Sequence, residues 1–523
     1  MANARLIPKH PLVIITLTLF LIIAAGLVFA HFKADSWVGD FLDRKLPPHV
    51  QLSYKQLNVD ILSGGIELKE IDLRLKNRDS LTEHSNIQLK SLNLIDLNYW
   101  HFFMNERIQV EELELNQPNV RHYLDKVISN NNKERRGVVS LLKTIQVERL
   151  TVNNGKLTLH DKDSLIFKTK DINFEVFDAK TGPSQIKEKI PVTYGNYTLE
   201  LKELYVNLGT FEELNVASLR LENGKLQINN LILNTKFSKS ELSKRIKVER
   251  DHIDLQIPET IVDSIEVGFT GDTLFVSTGN GRILNPTAEI YRDKLVDDDL
   301  KKKRLYSRML RELPIDIEIP EIKIDNGNLV YSELITSGVA PGRVSFDELN
   351  ATITNLDNLS DSQKKTKIKA SALLMNHAPI ELNWSFDINQ QNDAFTASGV
   401  IKDFKSKSVN SYLESSLRAK AKGNINRMYF TISGDAISSS GDIKMNYEDF
   451  EFAVLKKNRL GVNKLLTFIG KLFINDGSNS DEEGFRYGTI EVQRNPTKSF
   501  FNYLWLNVQD GTVNTLIGKS EKK

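Results

Sequence analysis

Clusters of histidine, carboxylate, cysteine or glycine at fixed spacing are what would give this chain a chemistry, and few are present. Its nine histidines are scattered from His10 to His377, and no H-E-x-x-H or other ligand spacing would bring two imidazoles to one metal ion. Gly279-Asn280-Gly281 resembles half of a dinucleotide-binding fingerprint, but the third glycine and the helical pattern after it are missing, so the segment reads as a turn. Asp297–Asp299 and Asp481–Glu483 lack the alternating ligands and bend glycine of a calcium loop, and they read as solvated loop acids. No G-x-S-x-G elbow and no G-x-x-x-x-G-K-[ST] phosphate loop occurs. Cysteine is absent, which excludes disulfides, thiolate metal sites and a cysteine nucleophile together. The sequence therefore predicts no catalytic residue, no metal ligand and no cofactor, and a fold held by packing.

The elements around these residues carry the information instead. The 523 residues are 40% hydrophobic, and 69 basic side chains are balanced by 68 acidic ones for a formal charge of +1. Such a chain is long enough for two or three domains or one elongated repeat structure. With the two signs interspersed there is no basic stripe to meet a polyanion, so nucleic acid is not an expected partner.

Pro11 to Ala30 carry no charged side chain, and twenty helical residues at about 1.5 Å each match the roughly 30 Å hydrocarbon core of a bilayer. Arg5 and Lys9 precede the run, so the positive-inside bias predicts residues 1–10 in the cytoplasm and everything after His31 outside. Val28 and Ala30 would satisfy a signal-peptide cleavage site, but the run exceeds the usual h-region of about 7 to 15 residues, which favours a retained anchor. The next most apolar segment, Leu460–Ile474, carries Lys464 and Lys471 and predicts no second crossing.

Beyond the anchor the hydrophobic period is two. Ile172, Phe174 and Val176 alternate with Asn173 and Glu175, and Ile380, Leu382, Trp384, Phe386 and Ile388 alternate with polar residues, the pattern of antiparallel sheet with one wet face. A motif recurs at Ile108–Asn116 (IQVEELELN), Ile145–Leu157, Leu214–Leu226 and Ile317–Leu329, at separations close to multiples of about 35 residues, as in supersecondary units repeated along an axis. In each copy the apolar residues fall at offsets 0, 2, 5 and 7. The alternation thus changes phase midway, which predicts a bulge, bend or strand end there. Asn154-Gly155, Asn223-Gly224 and Asn326-Gly327 follow three of the copies, and Asn-Gly predicts a tight hairpin turn after each.

Helical signals are few. Asp297–Leu313 has acids first and bases later, with Leu300, Leu305, Met309 and Leu310 roughly on one side and Pro314 behind it. Lys464–Phe473 and Ser499–Val508 are amphipathic too; Phe501, Leu504, Trp505 and Val508 sit at i, i+3, i+4 and i+7. The last helix reads equally as a cap on the exposed edge of the final strand, or as a gate or contact with a membrane or partner. Ser129–Gly137, Asp178–Glu188, Ser238–Arg250 and Asn475–Glu483 read as loops.

The order of these features resembles the AsmA-like family. The resemblance rests on the basic N-terminus and single crossing, on Leu57–Leu73 (LNVDILSGGIELKEIDL), Ile108–Val120 (IQVEELELNQPNV) and Phe346–Leu356 (FDELNATITNL), and on the C-terminal block from Gly441–Phe450 through Arg494–Trp505. It covers most of the chain. It implies a mainly β protein, related to TamB, YhdP and the eukaryotic bridge-like lipid transfer proteins, in which a transmembrane helix leads into an elongated, curved antiparallel β-sheet groove (a β-taco) with a few short amphipathic helices. The implied domains are a cytoplasmic N-terminus (1–10), the transmembrane helix (11–30), a periplasmic repeating β-groove (31–440) and a groove-closing block with amphipathic helices (441–523). The implied function is non-enzymatic: shielding of phospholipid acyl chains, for transport to the outer membrane or envelope lipid homeostasis. The implied partners are phospholipid, the bacterial inner membrane, and the outer membrane or an envelope protein. Ile172, Phe174, Val176, Ile322, Ile324, Ile380, Leu382, Trp384 and Phe386 are the groove candidates, with Phe501, Leu504, Trp505 and Val508 on the C-terminal helix. Periodicity alone favours an ordinary sandwich core, the commoner use of a half-buried sheet; the groove assignment comes from the resemblance. The alternative function is a membrane-tethered scaffold or assembly factor for outer-membrane proteins.

Overall fold

The computed structural model describes residues 46–517 apart from 47, 61, 78–79, 99–106, 128–143, 186–187, 360–363, 418 and 455–479. The expected transmembrane helix over 11–30 and the amphipathic segment Lys464–Phe473 lie outside the described residues. Among those described, no helix is long and apolar enough to cross a membrane. The chain is mainly β, 63% strand and 10% helical, as its period-two patterning predicts. It divides into two units, one holding residues up to Val206 with Arg220–Asn223, the other Asn207–Leu219 and the residues from Gly224 on.

The first unit contains β1 (Val50–Ser53), β2 (Gln56–Asp60), β3 (Gly65–Lys76), β4 (Glu83–Leu97), β5 (Arg107–Asn116), β6 (Asn119–Tyr123), β7 (Thr144–Asp161), β8 (Ser164–Thr181) and, up to Val206, β9 (Tyr197–Asn207). Its pairs are antiparallel except that β7 runs parallel to β5 and β6. The repeat explains the exception. Ile108, Val110, Leu113 and Leu115 of one copy lie in register beside Ile145, Val147, Leu150 and Val152 of the next, so two like-directed copies are neighbours and the chain must cross over between them.

The second unit contains most of β10 (Glu212–Glu222), then β11 (Lys225–Thr235), β12 (Asp251–Val262), β13 (Ile265–Thr270), β14 (Thr273–Thr278), β15 (Gly281–Leu284) and β16 (Thr287–Asp293). After a crossover come β17 (Asp316–Leu334), β18 (Gly342–Asp357), β19 (Thr366–Leu374), β20 (Ala378–Phe386), β21 (Phe395–Lys405), β22 (Ala419–Gly434), β23 (Ser438–Val454) and β24 (Arg486–Gln493). β14, β15 and β16 run parallel to β17, and β17 to β24 form an antiparallel meander. The described helices of at least six residues are α1 (Lys239–Arg245), α2 (Tyr306–Arg311) and α3 (Phe500–Ile517); residues 406–417 form shorter helical turns.

Of the three expected Asn-Gly turns, only Asn223-Gly224 joins two strands, β10 and β11, with both residues at positive φ. Asn154-Gly155 and Asn326-Gly327 instead lie inside β7 and β17 as bulges, where the register shifts. Each faces a proline that interrupts the parallel neighbour. The Lys156 amide donates to the Pro118 carbonyl at 2.7 Å, and the Asn328 amide donates to the Pro286 carbonyl at 2.8 Å. A Cβ on Gly155 or Gly327 would lie 3.2 or 3.1 Å from those proline rings, so the glycines permit the approach.

The phase change within the repeat is an irregularity shared by both paired strands, and it leaves their register unshifted. Leu94 and Leu97 pair with Leu113 and Val110, Val176 and Ala179 with Leu150 and Val147, and Ile353 and Leu356 with Ile322 and Ile319. Between each spaced pair sits a residue at φ near +50°: Asp96, Asp178 and Asn355. One extra residue in each strand at the same level returns the apolar side chains to one face.

Two helical expectations need correction. Ser238–Arg250 is not all loop, because Ser238 and Glu241 make a reciprocal capping box and Leu242 is buried, which nucleates α1. The helix expected over Asp297–Leu313 is confined to α2. Upstream backbone groups are committed elsewhere: the Asp297 carbonyl accepts from the Glu249 amide, and Lys303 exchanges bonds with Pro496 and Arg494. Asn154→Val should destabilise the protein by about 1–2 kcal/mol and Asn154→Gly by much less, because a β-branched residue tolerates the αL backbone poorly; thermal denaturation of both variants checks this.

Candidate apolar binding face

Register assembles the apolar residues of the first unit into rows. Leu57, Leu68, Leu92, Leu115, Val152, Phe174 and Leu199 are successive partners across the seven strands β2, β3, β4, β5, β7, β8 and β9. Val59, Ile66, Leu94, Leu113, Leu150, Val176 and Tyr197 form a second row beside it. Paired residues share a face, so the two rows make one apolar surface. Only Val59, Leu68 and Val176 in these rows are buried; the others are half-buried. The described residues of the unit contain no α-helix.

The opposite face is laced by polar contacts. Asn58 donates to Glu67 at 2.9 Å, Asn93 to Glu114 at 2.7 Å and Arg149 to Glu175 at 2.8 Å. Hydrogen bonds from Lys69 and Asn58 hold the Glu67 carboxyl below the usual carboxylate range. Lys55, Gln56, Lys69, Glu70, Lys90 and Ser91 line a shallow depression on this side.

The second unit grades from open to closed. Ile322, Ile353, Ile368, Trp384, Ala397, Ile432, Gly441 and Ile490 form a row from β17 to β24. Its side chains are half-buried as far as Trp384 and buried at Ala397, Ile432 and Ile490. The difference is α3, which lies over β23 and β24 and turns Phe500, Tyr503, Asn507, Gly511 and Thr515 inward. A Cβ on Gly511 would stand 2.7 Å from Ile443 and 2.8 Å from Ile490, so the helix sits as close as a residue without a side chain allows. Asn507, fully buried, accepts from the Ser439 hydroxyl at 2.7 Å and donates to the Tyr503 carbonyl at 2.8 Å. Along β24, the Glu491 amide donates to Asp510 and the Thr489 carbonyl accepts from Asn514, both at 2.9 Å. These bonds satisfy backbone groups of the final strand, the capping arrangement of the two readings open for this helix.

The groove candidates therefore divide. Ile172, Phe174 and Val176 belong to the apolar face of the first unit. In the second, Ile322, Ile324, Ile380 and Leu382 are half-buried, whereas Phe386 is in the closed core and Trp384 stacks on Phe500 at 4.4 Å. On α3, Leu504 and Val508 pack against that core, but Phe501 is 57% and Trp505 36% exposed. The sequence stripe points partly outward because Asn507, Gly511 and Thr515 occupy the inner face.

One polar group on the first unit's apolar face escaped the reading of scattered histidines. Ser85 and His122 are register partners, and the Ser85 hydroxyl lies 2.8 Å from Nδ1 of both His84 and His122. Residue spacing alone could not join positions 37 apart; the β4–β6 register does. Burial, with His122 and His49 nearby, holds the His84 imidazole below its ordinary range.

No family model matches the chain, and a search of curated proteins finds no match either.

A Gly511→Ala change should destabilise the protein by about 1–3 kcal/mol through overpacking, while Val513→Ala on the exposed side should stay within about 0.5 kcal/mol; equilibrium unfolding distinguishes them. For His84 the unfolded state binds its proton more readily. The neutral ring's contribution is complete above the ordinary imidazole pKa and is lost as pH falls through that value toward the lowered one. Melting curves between neutral pH and about pH 5 should flatten in His84→Gln.

Proposed function

We propose that the protein is a non-enzymatic lipid carrier that shelters acyl chains against the apolar face of its first unit. The observation that carries this reading is the pair of seven-strand apolar rows, mostly half-buried and not closed over, in a unit with no α-helix among its described residues. Contiguous apolar surface on a folded protein marks an interaction site. Each methylene removed from water is worth about 0.8 kcal/mol, so a chain of some sixteen carbons gains on the order of 10 kcal/mol before ordering costs. The second unit supports the same reading by contrast, since comparable rows are buried where α3 supplies an opposite wall.

The resemblance to AsmA-like proteins adds the setting. In this reading residues 11–30 anchor the protein in the bacterial inner membrane, its bulk lies in the periplasm, and its cargo is phospholipid bound for the outer membrane or held for envelope lipid homeostasis. A membrane-tethered scaffold would offer the same face to polypeptide.

Protein extracted with its anchor should carry phospholipid detectable by mass spectrometry. Phe174→Asp or Leu115→Asp should lower lipid per protein by roughly an order of magnitude, because a buried carboxylate next to acyl chains is strongly disfavoured. Photo-crosslinkers at these positions should capture lipid; capture of polypeptide, with no bound lipid, would move the assignment to the scaffold.

A further inference from the structure

The crossover before β17 sends Leu305 and Leu310 into the closed core and rests Tyr306 against Trp384 and Phe500, and beside them it carries an exposed basic surface. Between Leu300 and Leu313 there are six basic residues and one acidic one. The segment is pinned beside the start of α3: Asp298 accepts from Lys498 at 2.9 Å, the Lys303 amide donates to the Pro496 carbonyl at 2.7 Å, and Arg494 donates to the Lys303 carbonyl at 2.5 Å. Aromatic side chains from the two elements meet there, with the Tyr306 and Phe501 rings 6.2 Å apart. Phe501, Trp505, Tyr306 and Met309 are all substantially exposed, and so is Leu300 at 76%.

The charges around this patch are unequal. Lys294 and Lys498 pair with Asp298 and Glu249, Lys303 with Asp299, Arg311 with Asp393, and Arg304 and Arg308 share Glu312. Lys301 and Lys302 are exposed and are in no ion pair among the described residues. The surface thus combines Trp, Phe, Tyr, Met and Leu side chains with surplus ammonium groups.

We propose that this surface docks the second unit onto an anionic lipid bilayer, with Phe501 and Trp505 entering the headgroup boundary and Lys301 and Lys302 meeting lipid phosphates. Charge complementarity selects that occupant. Aromatic rings with one apolar body suit the interface between water and hydrocarbon, and long basic side chains beside them suit an anionic leaflet. A hydrophobic protein partner would not require the unpaired lysines. The proposal stands apart from the carrier reading, because it concerns a different surface and its readout involves no cargo.

The absence of native cysteine permits a clean test. Asn502→Cys, beside Phe501, is labelled with an environment-sensitive NBD probe in the full chain reconstituted in neutral nanodiscs. Phosphatidylcholine vesicles with or without a third of phosphatidylglycerol are then added. Anionic vesicles should blue-shift and brighten the probe, and neutral ones should do so far less. Lys301→Gln with Lys302→Gln should weaken the apparent affinity by about thirtyfold, and Phe501→Ser with Trp505→Ser should abolish the shift. A probe that responds to neither vesicle, or equally to both, overturns the proposal; silence with both would leave a protein as the occupant. Lipid copurification with the unlabelled chain reports on the carrier reading separately.

Discussion

Cross-strand register is the constraint on which this molecule depends. With a side-chain period of two, a slip of one residue would turn every leucine and isoleucine of a strand to water. Long strands such as β7 and β17 hold their apolar set on one side only because bulges at matched levels reset the phase in neighbours together. Aspartate and asparagine fill most of these positions, with glutamate at Glu70, Glu203 and Glu348; the short polar side chains of the first two tolerate positive φ better than other residues with a Cβ. Polar contacts on the other face, such as Asn93 with Glu114, hold the same register from behind.

Once a strand set has an apolar side, something must meet it. In the second unit the chain provides its own wall: α3 approaches through Gly511, and the one amide buried beneath it, Asn507, has both of its polar atoms bonded. The first unit has no α-helix among its described residues, and its rows stay half-buried. The contrast comes from composition as much as topology, because Gly511 and Thr515 let the later turns of α3 lie close on the sheet while Phe500 and Tyr503 fill the space nearer its start.

That inner side explains why the last helix is only partly legible in the sequence. A hydrophobic stripe at Phe501, Leu504, Trp505 and Val508 is legible, but close packing over β23 and β24 selects small residues one position away from it. The strands, the repeat and the phase change were legible because they rest on local alternation. Parallel pairing at β7 and β17 was not, since nothing in a single copy states the direction of its neighbour; neither was the contraction of the 297–313 helix, whose backbone partners come from residues 249, 494 and 496. Asn-Gly was ambiguous for a related reason. It guarantees tolerance of positive φ, which serves a bulge as well as a hairpin, and only the proline in the adjacent strand decides between them. The His84, Ser85 and His122 group shows the same limit, since strand pairing alone brings its members together.

The side-chain bonds from Asp510 and Asn514 to β24 bear on self-association. An unpaired terminal strand is a template onto which another polypeptide can polymerise in cross-β fashion. Here the template is already occupied at Glu491 and Thr489, so a visiting strand would first have to displace a docked helix and open a dry core. Fibre growth through this border is disfavoured by the docked helix as well as by the charges of Arg486 and Glu491 on the strand itself.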